Sequence, residues 1–377
     1  MKQISFRTIF KEGLIPLFVL IFLNLSCKKN FEKNADQNIA PASLSSEKVP
    51  QSLKDFTQVN LIGDEDEYHP ARIDAALVNG WGISFSTGGI VWISAEATGK
   101  SLVVTKDGSQ VLPPVSIPSP TDTIGGHPTG QVFNGSTSFR LPNGNPARFI
   151  FAGADGVLSG WNGGTSAKKM VDNSATASYL GIALASNAGK NYLYAANFKD
   201  EGQIDVFDST WTQVPISFTD PNLPEDYYPF NIQAIDNMLF VMYAKIGEDG
   251  DEIAHPGFGI VDIYNPDGSF VKRFISHGQL NAPWGIAKAP PTFYGSQFGN
   301  IPNTYLVGNF GDGHINAYSW DGTFLGQLRG HGVPIEIEGL WGIAFPPASA
   351  TSVDPNRLFF AAGPDDEEHG LFGYIIK

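Results

Sequence analysis

Two segments of the sequence share one oxygen-rich form: Asn197-Phe198-Lys199-Asp200 and Asn309-Phe310-Gly311-Asp312. Side-chain amides and carboxylates are hard oxygen donors, and calcium takes roughly six to eight of them. Further acidity is dense in Asp64-Glu65-Asp66-Glu67, in Glu248-Asp249-Gly250-Asp251-Glu252, and in Asp365-Asp366-Glu367-Glu368-His369. His127 follows the Gly125-Gly126 turn. The candidate metal or ligand residues are therefore Asn197, Asp200, Asn309 and Asp312, with His127 and Asp365, and calcium is the ion they would suit. A plainer role is open to the same residues. Asn and Asp at a strand end turn the chain by side-chain-to-backbone hydrogen bonds. No EF-hand pattern occurs.

Other chemistries are excluded by what the chain lacks. Its seven histidines include no His-x-x-x-His pair, and its one cysteine, Cys27, precedes the main body of the chain. A zinc site of the common kinds is therefore unsupported, and each histidine reads as a surface or turn residue. There is no Gly-x-Ser-x-Gly elbow and no phosphate-cradling loop. The net charge of -14 and the lack of a basic stripe argue against nucleic acid.

Cys27 belongs to a leader. Lys2, Arg7 and Lys11 form a basic start, and an apolar run from Leu14 to Leu23, interrupted by Pro16, follows. Leu25-Ser26-Cys27 then reads as a bacterial lipoprotein processing site, with Cys27 as the lipidation site. Asn24 departs from the usual Leu three before the cysteine. An ordinary cleaved signal and an uncleaved anchor are the alternatives. The expectation is a lipid-anchored protein of the bacterial cell envelope, periplasmic or on the cell surface. Its domains would be a signal peptide over 1–27, a polar flexible linker over 28–54 and a folded body over 55–377.

The elements that must position these loops repeat. Asn79-Gly80-Trp81-Gly82-Ile83, Ala282-Pro283-Trp284-Gly285-Ile286 and Leu340-Trp341-Gly342-Ile343 are copies of one phrase, with weaker copies at Gly130, Gly181 and Asn231. The steps between the six small residues are 48, 51, 50, 54 and 57. A period near 50 with strand-like content is the signature of a β-propeller, one blade per repeat. After each phrase comes an apolar run such as Tyr192-Leu193-Tyr194-Ala195-Ala196, as expected of a strand covered on both faces. Alternating third strands follow, such as Gln203-Ile204-Asp205-Val206-Phe207. The last repeat is one strand short, and a strand at 56–62 precedes the first phrase. The expected fold is all-β, a six-bladed β-propeller. Its last blade is closed by the N-terminal strand pairing with the C-terminal strands, because an unclosed ring leaves edges exposed. The connections from second to third strand and from blade to blade share one rim, which gathers most of the acidity. Trp81, Trp284 and Trp341 would either line the channel as an aromatic pocket or pack between blades.

The motifs together are similar to a family of exported bacterial proteins of unassigned activity, some of which carry a PEP-CTERM sorting tail. The likeness covers about residues 56–377 and rests on Asn79-Gly80-Trp81-Gly82-Ile83, Pro128-Thr129-Gly130, Tyr194-Ala195-Ala196-Asn197-Phe198, Tyr228-Pro229-Phe230-Asn231-Ile232-Gln233 and Gly308-Asn309-Phe310-Gly311-Asp312-Gly313. It implies a secreted propeller, although this chain has no such tail. A looser likeness to NHL-repeat and gluconolactonase-type propellers implies a channel metal held by Glu, Asn and Asp, a set that does not map residue by residue here. The expected function is binding of a protein or glycan at the acidic rim by a monomer, with catalysis the less favoured reading. The alternative is a calcium-dependent hydrolase or lactonase at the channel mouth.

Overall fold

The computed structural model describes residues 49–377, except Asp200. Six antiparallel sheets form six blades. Strands a to d of blade 1 are Gly80–Phe85, Val91–Ala95, Lys100–Val104 and Gln110–Ser116. Blade 2 is Pro128–Phe133, Phe149–Gly153, Val157–Trp161 and Lys168–Asp172. Blade 3 is Tyr179–Asn187, Lys190–Asn197, Gln203–Phe207 and Gln213–Val214. Blade 4 is Tyr227–Ile235, Met238–Lys245, Ile260–Tyr264 and Phe270–Ser276. Blade 5 is Pro283–Lys288, Thr304–Asn309, Ile315–Ser319 and Phe324–Gln327.

Blade 6 takes strands a to c from Leu340–Ala344, Leu358–Ala362 and Leu371–Ile376, and strand d from Thr57–Gly63. The last two run antiparallel from Thr57 opposite Ile376 to Gly63 opposite Leu371, so the two ends of the described chain close the ring as expected. The short strand Arg72–Ile73 adds a parallel partner outside. A hairpin of Arg329–Gly330 with Val333–Pro334, not expected from the sequence, lies between blades 5 and 6.

The repeated phrase works through its small residue. In all six a strands the pairing with strand b slips at the phrase, between Gly80 and Ile83, Pro128 and Gln131, Tyr179 and Gly181, Pro229 and Asn231, Pro283 and Gly285, and Leu340 and Ile343. Such bulges bend a strand locally. A Cβ added at Gly82 would sit 3.1 Å from the Gly130 Cα, and one at Gly130 2.7 Å from the Gly181 Cα. One at Gly181 would sit 1.8 Å from the Asn231 Oδ1. Asn231 in turn donates to the Trp284 carbonyl at 2.8 Å. Cβ atoms at Gly285 and Gly342 would meet the Trp341 and Trp81 carbonyls at 2.8 and 2.5 Å. The ring is thus drawn tight by one small residue per blade.

Apolar clusters fill the gaps between successive blades. Residues 49–54 are part of the body: Gln51–Leu53 is a 3-10 turn, and Leu53 and Phe56 are buried with Phe293 and Leu328. The linker expected over 28–54 therefore stops short of Val49. Cys27, the leader and residues 28–48 lie outside the described residues.

Candidate functional site

Strand polarity sorts the loops. The b–c loops and the blade-to-blade connections lie on one rim, the a–b and c–d turns on the other. Asp64–Glu67, Glu96, Asp155, Glu201, Glu248–Glu252, Asp312 and Asp365–Glu368 all fall on the first rim.

An aromatic plug closes the channel at this rim. Trp81 stacks on Trp341 with ring centroids 3.4 Å apart, and Trp284 meets both edge-on at 5.9 Å. The three tryptophans pack on one another at the axis, and Trp284 also borders the cavity beneath them. They fill the axis, because each begins an a strand beside the small residue that draws the ring tight. Phe310 stacks on Trp341 at 4.0 Å, and Phe198 packs on Phe230 at 5.2 Å. The shared Asn-Phe-x-Asp form is thereby explained: its Phe caps the plug. Beyond the plug a cavity of about 250 Å³ follows the axis toward the other rim, lined by Ile83, Ser84, Gln131, Ile232, Gln233 and Ile343 among others.

The expected site residues occupy separate places on the rim. Asn197 ends strand b of blade 3, and its Oδ1 accepts from the Ser178 and Lys199 amides, both at 3.1 Å. Asn309 holds the equivalent place in blade 5, where its Nδ2 donates to the Gln279 carbonyl at 2.8 Å and to Asp312 Oδ1 at 3.0 Å. Both asparagines thus turn their loops. Blade 4 stands between them. The Asn309 Oδ1 is buried without a partner, as are the Oδ1 atoms of Asn281 and Asn316. Asp200 lies outside the described residues. Among the described residues no three His, Asp or Glu side chains gather as a metal site.

His127 pairs with Glu96 at 2.6 Å, and Glu96 accepts from Asn79 Nδ2 at 3.0 Å. Asn79 in turn accepts from the Trp341 indole at 3.2 Å. A hydrogen-bonded chain therefore runs from the plug to the rim. The bond to Glu96 raises the His127 pKa, and burial raises that of neighbouring Asp155. Asp365 lies 3.9 Å from His369 Nε2, while His369 Nδ1 meets Asp64 at 2.9 Å. Asp365, Asp366 and Glu367 have φ of 54, 51 and 70°, a left-handed turn that costs non-glycine residues about 1–2 kcal/mol each. A third pair joins His314 to Asp312 at 3.4 Å.

Blade 3 holds a polar cavity of about 350 Å³ on this rim, lined by Asn173, Asn197, Gln203, Asp205 and Gln213 with Thr176, Lys199 and Glu201. Asp205 was not singled out from the sequence. The available signal was its place in an alternating strand, where the equivalent position of blade 4 is also an aspartate, Asp262.

No protein-family model matches the chain. Uncharacterized protein R648 of Acanthamoeba polyphaga mimivirus is 30% identical over 334 residues, covering 85% of this chain and 80% of the relative. The chain belongs to the family of R648. A second member of that virus, uncharacterized protein L690, is 29% identical over 343 residues, covering 85% and 86%. Both of these relatives of the R648-family chain are viral, and nothing found supports the PEP-CTERM-associated family. Among solved structures, the GH93 alpha-L-arabinofuranosidase of Fusarium graminearum with arabinobiose superimposes with a TM-score of 0.54 at 11% identity, covering 85% of this chain and 97% of that one. A protein of unknown function from Bacteroides thetaiotaomicron gives 0.51 at 10%, covering 85% and 76%. At such identity the likeness is one of fold.

Proposed function

We propose that this R648-family chain is a binding module: a propeller that takes a protein or glycan ligand on its acidic rim, without catalysis. The observation that carries this is the one-sided gathering of carboxylates on a rim whose channel mouth is filled by Trp81, Trp284 and Trp341. A filled mouth leaves a broad surface, and a predominantly acidic surface steers partners of opposite charge. The chain enters the body at the other rim, where Lys377 donates to the Ser52 and Lys54 carbonyls at 2.7 Å. With Cys27 lipidated in a bacterial envelope, such a tether would hold the acidic rim away from the membrane.

The test is binding of the full chain to glycan panels and candidate envelope proteins. Ligand retained by the native protein and lost on Asp365→Lys with Glu368→Lys supports the module. Unchanged binding in that variant refutes it. A second reading, a calcium-dependent hydrolase or lactonase, is favoured by the unpartnered Asn309 Oδ1 beside Asp312. Stoichiometric calcium, together with lactone or phosphoester turnover abolished by Asn309→Ala, would establish that reading instead.

A further inference from the structure

Blades 3 and 4 treat the same buried carboxylate differently. Counting from Gly181 and Asn231, Ile182 pairs with Ala195 and Ala195 with Asp205, just as Ile232 pairs with Val241 and Val241 with Asp262. In blade 4 the strand-d residue opposite Asp262 is Arg273. Its Nε donates to Asp262 Oδ1 at 2.9 Å, and its other end reaches Asp220. Two buried carboxylates there share one guanidinium, so a cation faces Asp262, as burial of a carboxylate favours.

In blade 3 strand d is only Gln213–Val214. Val214 pairs with Val206, so the same register brings Pro215 opposite Asp205. A proline cannot extend the ladder, and it supplies no cation. Asp205 is 4% exposed, has no ion pair among the described residues, and lines the 350 Å³ cavity that the short strand leaves. Burial raises its pKa. Only neutral donors meet it: Tyr179 Oη at 2.9 Å, Gln203 Nε2 at 2.8 Å, Gln213 Nε2 at 2.9 Å and Asn197 Nδ2 at 3.4 Å.

These donors orient the wall. A carboxylate only accepts, so the amides of Gln203 and Gln213 must turn their N–H groups inward and their carbonyl oxygens away. Asn173 likewise spends an N–H on the Tyr179 hydroxyl at 2.7 Å. Asp205 is thus met by four neutral donors, two on each oxygen, of which the exposed Gln203 and Gln213 are the ones an incoming donor would displace. Lys199 is the one cation on the wall, and its ammonium turns to the Ala175 carbonyl at 3.4 Å. Glu201 adds a second carboxylate.

We propose that this cavity binds a guanidinium-bearing small molecule, seated against Asp205 as Arg273 is seated against Asp262. A planar cation with five N–H donors would take the place of the glutamine amides at Asp205 and bring the positive charge that no described residue of blade 3 supplies there. The proposal deepens the binding-module reading by naming a ligand class, but it uses the blade 3 cavity alone.

The test is calorimetric titration of the full chain with agmatine, with glucose and calcium chloride as comparisons. Agmatine should bind saturably, and Asp205→Asn should weaken it about tenfold or more. Gln213→Arg changes an exposed residue within reach of Asp205 and supplies an internal guanidinium. It should abolish agmatine binding while leaving the melting temperature equal or higher, which keeps the test decisive if Asp205→Asn fails to fold. Absence of binding at roughly 10 mM agmatine, unchanged affinity in Gln213→Arg, or equal binding of glucose or calcium would overturn the proposal. Loss of agmatine binding with rim ligand binding retained would separate the cavity from the rim.

Discussion

Gly130→Ala tests the ring most directly. The new Cβ would lie 2.7 Å from both the Gly181 Cα and the Ile182 amide nitrogen, and 3.0 Å from the Gly181 carbonyl carbon. Carbon atoms rest at about 3.5–4.0 Å, and all three neighbours are backbone, so no side chain can swing aside. Blades 2 and 3 must part by about 1 Å at the axis. In a closed ring that displacement passes to the other interfaces and to the stacked tryptophans. Overpacking of this kind costs about 1–3 kcal/mol and sometimes more. Reduced freedom of the unfolded chain returns about 0.4–1 kcal/mol. Because three backbone atoms are met at once, the cost falls at the upper end of its range, and a net loss of about 2 kcal/mol is expected. Gly88→Ala is the control, because its Cβ would find only the Ser86 hydroxyl, at 4.0 Å; it should be neutral or slightly stabilising. Urea unfolding followed by tryptophan fluorescence reads both variants. A Gly130→Ala stability within about 0.5 kcal/mol of the Gly88→Ala value, with an unchanged denaturant slope, would refute the reasoning.

Asn231→Gly should rescue much of the loss caused by Gly181→Ala, since the clash there is with the Asn231 side chain; additive losses in a double-mutant cycle would count against the ring. Deleting residues 49–63 removes Leu53, Phe56, Leu61 and Ile62, each buried. At about 2 kcal/mol apiece, that loss rivals a domain's whole stability, so a retained cooperative melt would sink the closure. His127, His314 and His369 have raised pKa values through Glu96, Asp312 and Asp64 respectively. Their stabilisation is full below the ordinary histidine value of 6.5 and is lost as pH rises through the raised ones. The melting temperature should therefore fall across that window, less steeply in His369→Gln; an equal slope in both proteins would show the pair to be inert. Labelled palmitate should mark the native chain and not Cys27→Ser, and labelling of both would remove the lipid anchor from the proposal.

Much of the architecture was legible because a propeller repeats one local problem. Each blade needs a small residue at the axis, an apolar strand between neighbours and a turn, so Gly82, Gly130, Gly181, Asn231, Gly285 and Gly342 stood out by period alone. The missing last strand and the unassigned strand near residue 56 implied each other. Rim acidity followed from strand polarity. The candidate site was legible only in part. Asn197 and Asn309 were found by their shared form, yet that form serves Phe198 and Phe310, which the tertiary structure places on the plug. Trp81, Trp284 and Trp341 looked alike as a repeated motif, but whether they line, separate or fill depends on how closely the a strands approach.

Composition, period and alternation therefore determined the blade, the number of blades and the closure, because these rest on contacts between residues near in sequence or equivalent by repeat. Only the tertiary structure decided which side chains meet across the ring. It joined His127 to Glu96, set His369 against Asp64, and left Asp205 facing a cavity where Asp262 has Arg273. The physical reason is that a buried charge is judged by its partner. Partners come from another strand, whose length and register a single proline can change.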